Sequence, residues 1–334
     1  MLDHWLALLL PAWAWPVAAV CLGVPVLALA IDWWLGEPPA AWHPVVWMGK
    51  ALQWSGDWVA PTAPVANDLK RFWLGVLVWS SLVAIVLIAS WVVQRGVLML
   101  PGVLAAVVLA ALLKPLLAWR LLRDEVLAVE VALGQSLPVG RERLARLVSR
   151  DVSALSAREV RESAIESLAE NLNDSVVAPL FWLALLGLPG AALYRLANTA
   201  DAMWGYPGMR GGRYWQWVGK WAARADDVLS WLPARITGLL LTMGVQGPVL
   251  RTLVREARKT PSPNSGWPMA AMALVLDVRL AKRGVYTLHA QGRVASPLDT
   301  QRAARRGAAV VWAMVPLVAV LQVLVAAVMW WLWV

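Results

Sequence analysis

The sequence predicts an all-α, polytopic integral membrane protein, a single helical bundle that takes in residues 1–334. The chain is 60% hydrophobic and only 15% charged, whereas soluble domains average about 45–50% apolar and about 25% charged. The apolar residues collect in runs of roughly 17–25, the length that a helix needs to cross a bilayer. Many of the 24 Trp lie at the ends of these runs, where an indole ring suits the lipid headgroup layer.

Four apolar runs predict membrane spans, at residues 13–31, 72–93, 97–113 and 307–334. The second and third are separated by a predicted tight turn at Gln94-Arg95-Gly96. Two further runs, residues 176–196 and 231–249, contain Gly or Pro. They predict broken or re-entrant helices, because irregular backbone at membrane depth is tolerated where it lines a protein cavity.

Three polar segments separate the runs, at residues 32–71, 114–174 and 251–306. The third carries eleven Lys and Arg against three Asp and Glu, which is typical of a cytoplasmic segment. Counting spans from it places all three segments, as helical cytoplasmic regions, on the same side. The net charge of +9 is explained by this topology, because the basic residues lack the aromatic interleaving of a nucleic-acid surface. We therefore expect membrane lipid, and no nucleic acid, as a partner.

The first polar cluster follows the first span and contains Asp32, Glu37 and His43, with prolines between them. Such residues can cap a helix and form a turn. His43 can alternatively contact a phosphate or a metal ion.

The second cluster is a row of carboxylates, Glu162, Glu166 and Glu170, spaced four residues apart. A helix would stack them on one face, where like charges repel by a few tenths of a kcal/mol per pair. Asn171 and Asp174 follow directly. The row predicts an oxygen-rich site for Mg²⁺ or a cationic group, and the alternative is a solvated helix face.

The third and fourth clusters are less specific. Arg224 and Asp227 are three residues apart and can pair with each other on a helix. Carboxylates beside apolar spans are nevertheless candidates for a functional site. The guanidinium group of arginine, with its forked N–H donors, is suited to binding phosphate. The third cluster consists of Asn198, Asp201, Tyr206, Arg224, Asp226, Asp227 and Arg235. The fourth is a Pro-rich turn with Ser262 and Asn264, which is also typical of a plain loop between helices.

In this order the clusters resemble the adenosylcobinamide-phosphate synthase family of cobalamin biosynthesis (CobD/CbiB). The resemblance covers residues 32–49, 149–182, 194–235 and 262–272, with departures at Ser175, Met269 and Ala281-Lys282. It implies a multi-pass enzyme of the bacterial cytoplasmic (inner) membrane whose active site faces the cytoplasm. It also implies that ATP and Mg²⁺ are used to join (R)-1-aminopropan-2-ol, or its O-phosphate, to a propionate carboxylate of adenosylcobyric acid through an acyl phosphate. Other membrane-bound enzymes of nucleotide-loop assembly are expected partners.

Residue roles follow as expectations from the resemblance and from the residue chemistry together. The expected catalytic residues are Glu166, Glu170, Asp174 and Asp227. The expected metal ligands are Glu166, Glu170, Asp174 and Asp226. The expected substrate- and phosphate-binding residues are Asp32, His43, Asn171, Asn198, Asp201, Tyr206, Arg224, Arg235, Ser262 and Asn264.

Two other classes of protein stay open at this point. A non-catalytic sensory or regulatory membrane relative would be expected to lose the carboxylate and asparagine motifs, and this chain keeps them. A small-molecule transporter would also explain broken helices and charges near the membrane. Against a transporter, the polar motifs concentrate on one predicted face and no inverted repeat is visible in the sequence.

Overall fold

The computed structural model describes residues 14–245 and 249–333. Within these residues the chain is helical apart from loops and two short antiparallel hairpins, which confirms the predicted all-α class. Three described helical stretches are long and apolar enough to cross a membrane: Leu69–Val97, Gly102–Gln135 and Pro297–Val328. Residues 13 and 334, in the first and last predicted spans, and residues 246–248, in the second predicted broken helix, lie outside the described residues.

The helices and strands are numbered here in chain order. The helices are α1 (Ala14–Leu35), α2 (Pro44–Val59), α3 (Leu69–Val97), α4 (Gly102–Leu113), α5 (Trp119–Gln135), α6 (Leu137–Leu144), α7 (Ala157–Leu172), α8 (Ala178–Leu186), α9 (Leu188–Trp204), α10 (Lys220–Leu229), α11 (Trp231–Thr242), α12 (Val249–Ala257), α13 (Gly266–Leu276) and α14 (Pro297–Trp333). Short 3₁₀ turns occupy Ala40–Trp42 and Lys114–Leu116, and a π-helical turn occupies Asn173–Val177. The hairpins are β1 (Met209–Arg210) with β2 (Arg213–Tyr214), and β3 (Leu280–Lys282) with β4 (Tyr286–Leu288).

The predicted turn at Gln94-Arg95-Gly96 is wrong, because α3 continues through these residues to Val97. A glycine inside a helix costs only about 1 kcal/mol relative to alanine, whereas proline cannot continue a helix. The chain therefore turns just before Pro101, the N-cap of α4. The side chain of Gln94 has a different task, since its Oε1 accepts a hydrogen bond from the backbone N–H of Leu188 at 2.6 Å.

The predicted break in residues 176–196 is found at Gly187, whose φ of 69° lies in the left-handed region that glycine tolerates. The nine-residue α8 ends there and α9 begins at the next residue. At 1.5 Å per residue α8 is about 13 Å long, too short to span a bilayer alone. The twelve-residue α11, in the second predicted interrupted run, is about 18 Å long and is also too short.

The chain divides into two compact units. The first consists of Met1–Leu117, Pro179–Ala223 and Met314–Val334. In it α1 packs on α4, and α9 packs on both α2 and α3. Trp204 is fully buried here, stacked on Trp215, and donates its indole N–H to the carbonyl of Leu52 at 3.2 Å.

The first unit also contains a cavity of about 360 Å³ between α2, α3, α4 and α9. Its lining is apolar except for Ser90 and includes Trp47, Ile85 and Leu196. Charged substrates need polar partners when they leave water. This cavity therefore does not suit a phosphate or a carboxylate.

The second unit consists of Ala118–Ala178 and Arg224–Ala313. Its central helix is α7, which packs against α5, α6, α13 and strand β3. The bundle is completed by α11 and α12, both of which pack on α13.

Candidate functional site

The helix that carries the carboxylate row begins with a capping box. Ser156 Oγ accepts the backbone N–H of Glu159, and the Glu159 carboxylate accepts the backbone N–H of Ser156 at 2.8 Å. Such reciprocal bonds satisfy two of the open N–H groups at a helix start. They fix the first turn of α7 and hence the register of the glutamates that follow.

The carboxylate row is not a solvated face. Glu162 is 1% exposed and Glu166 is 4% exposed. Ile165 and Leu168 are fully buried on the other sides of the helix, as the sequence predicts for an apolar packing surface. Buried carboxylates are costly unless they are paired or serve a function. The interpretation of α7 as an ordinary surface helix is therefore wrong.

A polar cavity of about 250 Å³ opens beside this row, within the second unit. Of the residues predicted to form the site, Glu166, Glu170 and Asn171 line it. The remaining lining residues come from the loop before α7, from α7 itself and from the β3–β4 hairpin, and they are Leu147, Val148, Ser149, Arg150, Ser163, Ser167, Lys282 and Tyr286.

The charge of Glu166 is only partly compensated within the cavity wall. Its Oε2 lies 3.6 Å from a guanidinium nitrogen of Arg150, and its Oε1 has no hydrogen-bond partner among the described residues. Burial raises the pKa of Glu166 to about 7, against the opposing effects of Arg150 and Tyr286. A carboxyl group with a pKa near neutrality can hold or release a proton under physiological conditions.

The sequence did not single out three residues of this wall. Arg150 donates to Ser163 Oγ at 2.6 Å, which fixes its guanidinium beside Glu166. Lys282 and Tyr286 are cross-strand partners in the β3–β4 hairpin. Burial, followed by the charges of Glu166 and Glu170, raises the pKa of Tyr286, so its phenol stays protonated as a hydrogen-bond donor.

Arg side chains compensate the other buried acids around α7. Arg158 bonds Glu162 at 2.6 Å. Arg161 forms a two-pronged pair with Glu130 on α5, with distances of 2.7 and 2.6 Å. Thr300 Oγ1 donates to the same Glu130 carboxylate at 3.0 Å. The contacts of Arg161 and Thr300 with Glu130 join α7 and the start of α14 to α5, and so position the helix that carries Glu166.

The end of the row lies where the helix changes type. Asp174 belongs to the π-helical turn Asn173–Val177 and accepts a hydrogen bond from the Asn173 amide at 2.8 Å. Thr237 on α11 in turn donates to Asn173 Oδ1 at 3.1 Å. Asn171 is held by the backbone carbonyl of Ser167 at 2.9 Å. Single π-turns inside helices occur frequently at functional sites.

The predicted phosphate binder Arg235 is engaged by protein groups in the second unit. Its guanidinium donates to Asn264 Oδ1 at 2.7 Å and to the carbonyl of Trp231 at 2.6 Å. It also stacks on the rings of Trp231 and Trp267, at 4.3 and 4.9 Å from their centroids. These contacts hold the Pro-rich turn against α11. The observed role of Arg235 is to fix that turn.

The other members of the third and fourth clusters in this unit have local partners too. Asn264 is buried and donates to the backbone carbonyl of Asp227 at 2.8 Å. Ser262 Oγ accepts two backbone N–H groups of its own turn, both at 3.2 Å. Arg224 is 74% exposed and lies 3.9 Å from Asp227, so the predicted pairing is loose. Asp226 is half-buried.

Asp32 and His43 belong to a charge network in the first unit. The ammonium group of Lys114 lies 3.2 Å from Asp32 and 2.8 Å from Glu37, and the His43 ring lies 3.1 Å from Glu37. Lys114 and Asp32 are both buried, at 3% and 1% exposure. The structure therefore gives Asp32 an internal ion pair, which the sequence did not predict because Lys114 is 82 residues away.

Asn198, Asp201 and Tyr206 also lie in the first unit, at the end of α9. Asp201 accepts the backbone N–H of Gly205 through its carbonyl at 2.7 Å, and its side chain lies where a Gly205 Cβ would be. Tyr206 stacks under the guanidinium of Arg210, 3.5 Å from the ring centroid. The predicted site residues are thus divided between the two units.

Among the described residues, no group of three or more His, Cys, Asp or Glu side chains is arranged to hold a metal ion. The predicted ligand set of Glu166, Glu170, Asp174 and Asp226 stays a prediction. Its all-oxygen donors fit Mg²⁺ as an ion shared with substrate phosphates, because Mg²⁺ is usually held by one or two carboxylates plus phosphates and water.

Together, the fold and the cavity define a helical membrane protein with a small charged site in its second unit. A family model described as CobD/Cbib protein matches residues 25–314. The chain belongs to this family.

Its relatives are similar over most of their length. A probable cobalamin biosynthesis protein CobD of Methanothermobacter thermautotrophicus is 39% identical over 274 residues, covering 80% of this chain and 86% of the relative. That of Thermococcus kodakarensis is 40% identical over 280 residues, covering 84% and 88%. The cobalamin biosynthesis protein CobD of Brucella suis is 38% identical over 270 residues, covering 76% and 80%. No solved structure matches the chain.

Proposed function

We propose that this protein is a cobalamin biosynthesis enzyme that forms an amide bond at the expense of ATP. It would join (R)-1-aminopropan-2-ol, or its O-phosphate, to a propionate carboxylate of adenosylcobyric acid, giving adenosylcobinamide or its phosphate. Family membership and the names of the relatives support the pathway. The observation that carries the enzyme assignment is Glu166, which is buried in the wall of a polar cavity, 3.6 Å from Arg150, with one carboxylate oxygen that has no hydrogen-bond partner among the described residues.

Glu162 on the same helix also has one carboxylate oxygen with no hydrogen-bond partner among the described residues, but it contacts Arg158 at 2.6 Å and does not line the cavity. Glu166 does line the cavity, beside Arg150, Lys282 and Tyr286, and its pKa of about 7 allows it to gain or lose a proton near neutral pH. Groups with perturbed pKa values in a cavity are candidates for acid–base chemistry. An amide-forming enzyme needs such groups, because an ammonium must lose a proton before nitrogen can attack a carbonyl.

The reaction would proceed through an acyl phosphate. The corrinoid carboxylate attacks the γ-phosphorus of ATP, releasing ADP, and the amine then displaces phosphate from the acyl carbon. Of the two protons that the ammonium loses, one leaves with the phosphate and one is released. Mg²⁺ on the nucleotide would neutralise phosphate charge. Asp174 and Asp226, the two predicted ligands outside the cavity wall, would hold it.

The test is direct synthesis by the purified protein in detergent. Adenosylcobyric acid, aminopropanol phosphate, ATP and Mg²⁺ should give the amide product by mass spectrometry, with one ADP per amide. We expect Glu166→Gln to lower the rate at least about 100-fold, the usual contribution of a positioned acid–base group. Unchanged synthesis by this variant would remove the carboxylate row from the mechanism.

A cellular test separates this function from transport. In cells unable to convert cobyric acid to cobinamide, the protein should restore growth on cobyric acid. A well-expressed protein that fails to do so would contradict the proposal. A transporter would increase cobyric acid uptake without forming amide.

We also propose that the protein lies in the bacterial cytoplasmic membrane with its site towards the cytoplasm. The basic segment at residues 251–306 supports this orientation. A reporter fused after residue 290 should be active only in its cytoplasmic form. Co-purification with other membrane-bound enzymes of nucleotide-loop assembly would support the expected partners, and a chain that always purifies alone would count against them.

A further inference from the structure

We propose that the cavity beside α7 is the subsite for the amine substrate, and that it selects the phosphorylated form, with the phosphate at Arg150 and Lys282 and the ammonium at Glu166. This inference rests on the proposed function. It assigns a substrate group to Arg150, Lys282 and Glu166 and names Arg150, Lys282 and Tyr286 as specificity residues.

The size of the cavity favours the amine over the other two substrates. Pockets for drug-sized ligands span about 300–1,000 Å³. At about 250 Å³ this cavity falls just below that range. It suits a molecule of a few heavy atoms, or the end of a larger one, and is too small to enclose a corrinoid ring.

The charges favour a zwitterion over a simple anion. Two cations, Arg150 and Lys282, and two carboxylates, Glu166 and Glu170, share one wall. A nucleotide phosphate alone would be repelled by the carboxylates, and a plain amine would be repelled by the cations. A molecule that carries an ammonium at one end and a phosphate at the other is complementary to both pairs.

Hydrogen bonding supports the same orientation. Glu166 Oε1 is an acceptor without a donor, and Arg150 Nε is a donor without an acceptor among the described residues. An ammonium supplies up to three N–H donors to the first, and a phosphate oxygen accepts from the second. The Tyr286 hydroxyl, which donates to Met269 Sδ at 3.6 Å in this structure, and Ser149 also line the cavity.

Lys282 offers the sharpest variant because its role can be separated from folding. It is half-buried at the end of β3, and its neighbour Arg283 is exposed and outside the cavity. We expect Lys282→Met to raise the KM for aminopropanol phosphate about 10- to 100-fold, the usual value of a hydrogen bond to a charged group. The KM values for unphosphorylated aminopropanol, ATP and the corrinoid should change less than twofold.

Arg283→Met is the matched control and should leave all four constants unchanged. Lys282→Arg keeps the charge and should retain most of the affinity. If Lys282→Met fails to give monodisperse protein, Arg150→Gln provides a second reading of the same phosphate contact. Glu166→Gln should raise the KM for both amines, because both carry the ammonium.

Equilibrium dialysis of the wild-type protein with radiolabelled aminopropanol phosphate, without ATP or corrinoid, provides the independent measurement. Binding that unlabelled aminopropanol phosphate displaces better than either aminopropanol or inorganic phosphate supports the subsite. A KM increase confined to ATP in Lys282→Met would assign the cavity to the nucleotide and overturn the inference. Unchanged KM values for both amines in Lys282→Met and Arg150→Gln would also overturn the inference, while amide synthesis by the wild type would leave the proposed function intact. Amine binding without any synthesis would instead contradict the proposed function.

Discussion

The ion pair between Arg161 and Glu130 joins two helices of the second unit, and its contribution to the free energy of unfolding can be predicted. Arg161 on α7 and Glu130 on α5 are only 14% and 15% exposed. Two short hydrogen bonds join them, and removal of one partner of a buried pair typically costs about 3–5 kcal/mol. Because Thr300 still donates to Glu130, we expect Arg161→Met to cost about 3 kcal/mol, the lower end of that range.

Replacing both partners tests whether the two charges are coupled. Arg161→Met with Glu130→Met replaces both charges by apolar groups of similar length, which is often nearly neutral for buried pairs. We therefore expect the double variant to be more stable than Arg161→Met alone by about 2 kcal/mol.

Reversible unfolding in mixed detergent and SDS micelles, followed by circular dichroism, measures both values. Arg120→Met is the control on α5. Arg120 and its partner Asp124 are 39% and 49% exposed, and exposed pairs contribute about 0–1 kcal/mol. If Arg161→Met costs no more than Arg120→Met, the pair does not hold α7 in place. If the double variant is less stable than Arg161→Met, the two charges are not coupled as the geometry implies.

Three other changes test contacts elsewhere. In Gly75→Ala the new methyl group would collide with the backbone carbonyl of Val218, so we expect a loss of about 1–3 kcal/mol, whereas Gly96→Ala on the same helix meets no atom within 4 Å and should be harmless. Arg235→Lys should lower stability by about 1–3 kcal/mol through lost forked bonds but leave the KM for ATP unchanged. A tenfold KM increase without destabilisation would restore its phosphate role. Lys114→Met removes the ammonium that Asp32 and Glu37 share and should cost about 3–5 kcal/mol, measured by the same unfolding midpoint, while an unshifted midpoint would show that the network is dispensable.

Local sequence patterns predicted the features that depend on neighbours along the chain. Four-residue spacing placed Glu162, Glu166 and Glu170 on one helix, and the Gly and Pro residues predicted a broken helix within residues 176–196, which the structure has at Gly187. The predicted turn at Gln94 was wrong because a stronger local signal lies a few residues further on. A single glycine is a weak helix terminator, and the stronger signal at Pro101 determined where α3 could end.

Contacts between distant segments account for what the sequence could not predict. Lys282 and Tyr286 reach the cavity because a short hairpin packs on α7, and no periodicity in the sequence encodes that packing. Lys114 was detectable in part, since a lone charge at the end of an apolar run marks an internal pair or a functional site. Its partner Asp32 could not be identified from spacing alone.

The burial of α7 links stability to function in this unit. A helix with so many polar residues can be central only if its charges are compensated. Glu162 has a short contact with Arg158 on the same helix, and Arg161 has one with Glu130 on α5. Glu166 lies in the same surroundings, but the guanidinium of Arg150 is 3.6 Å away, and Glu166 Oε1 has no hydrogen-bond partner in the part of the chain that the structure describes. Arg150 and Tyr286 therefore offset only part of the desolvation cost of Glu166, whose pKa burial raises to about 7. A positively charged substrate group would supply the missing partner, which is why we assign the ammonium to this carboxylate and treat the neighbouring Arg pairs as its support.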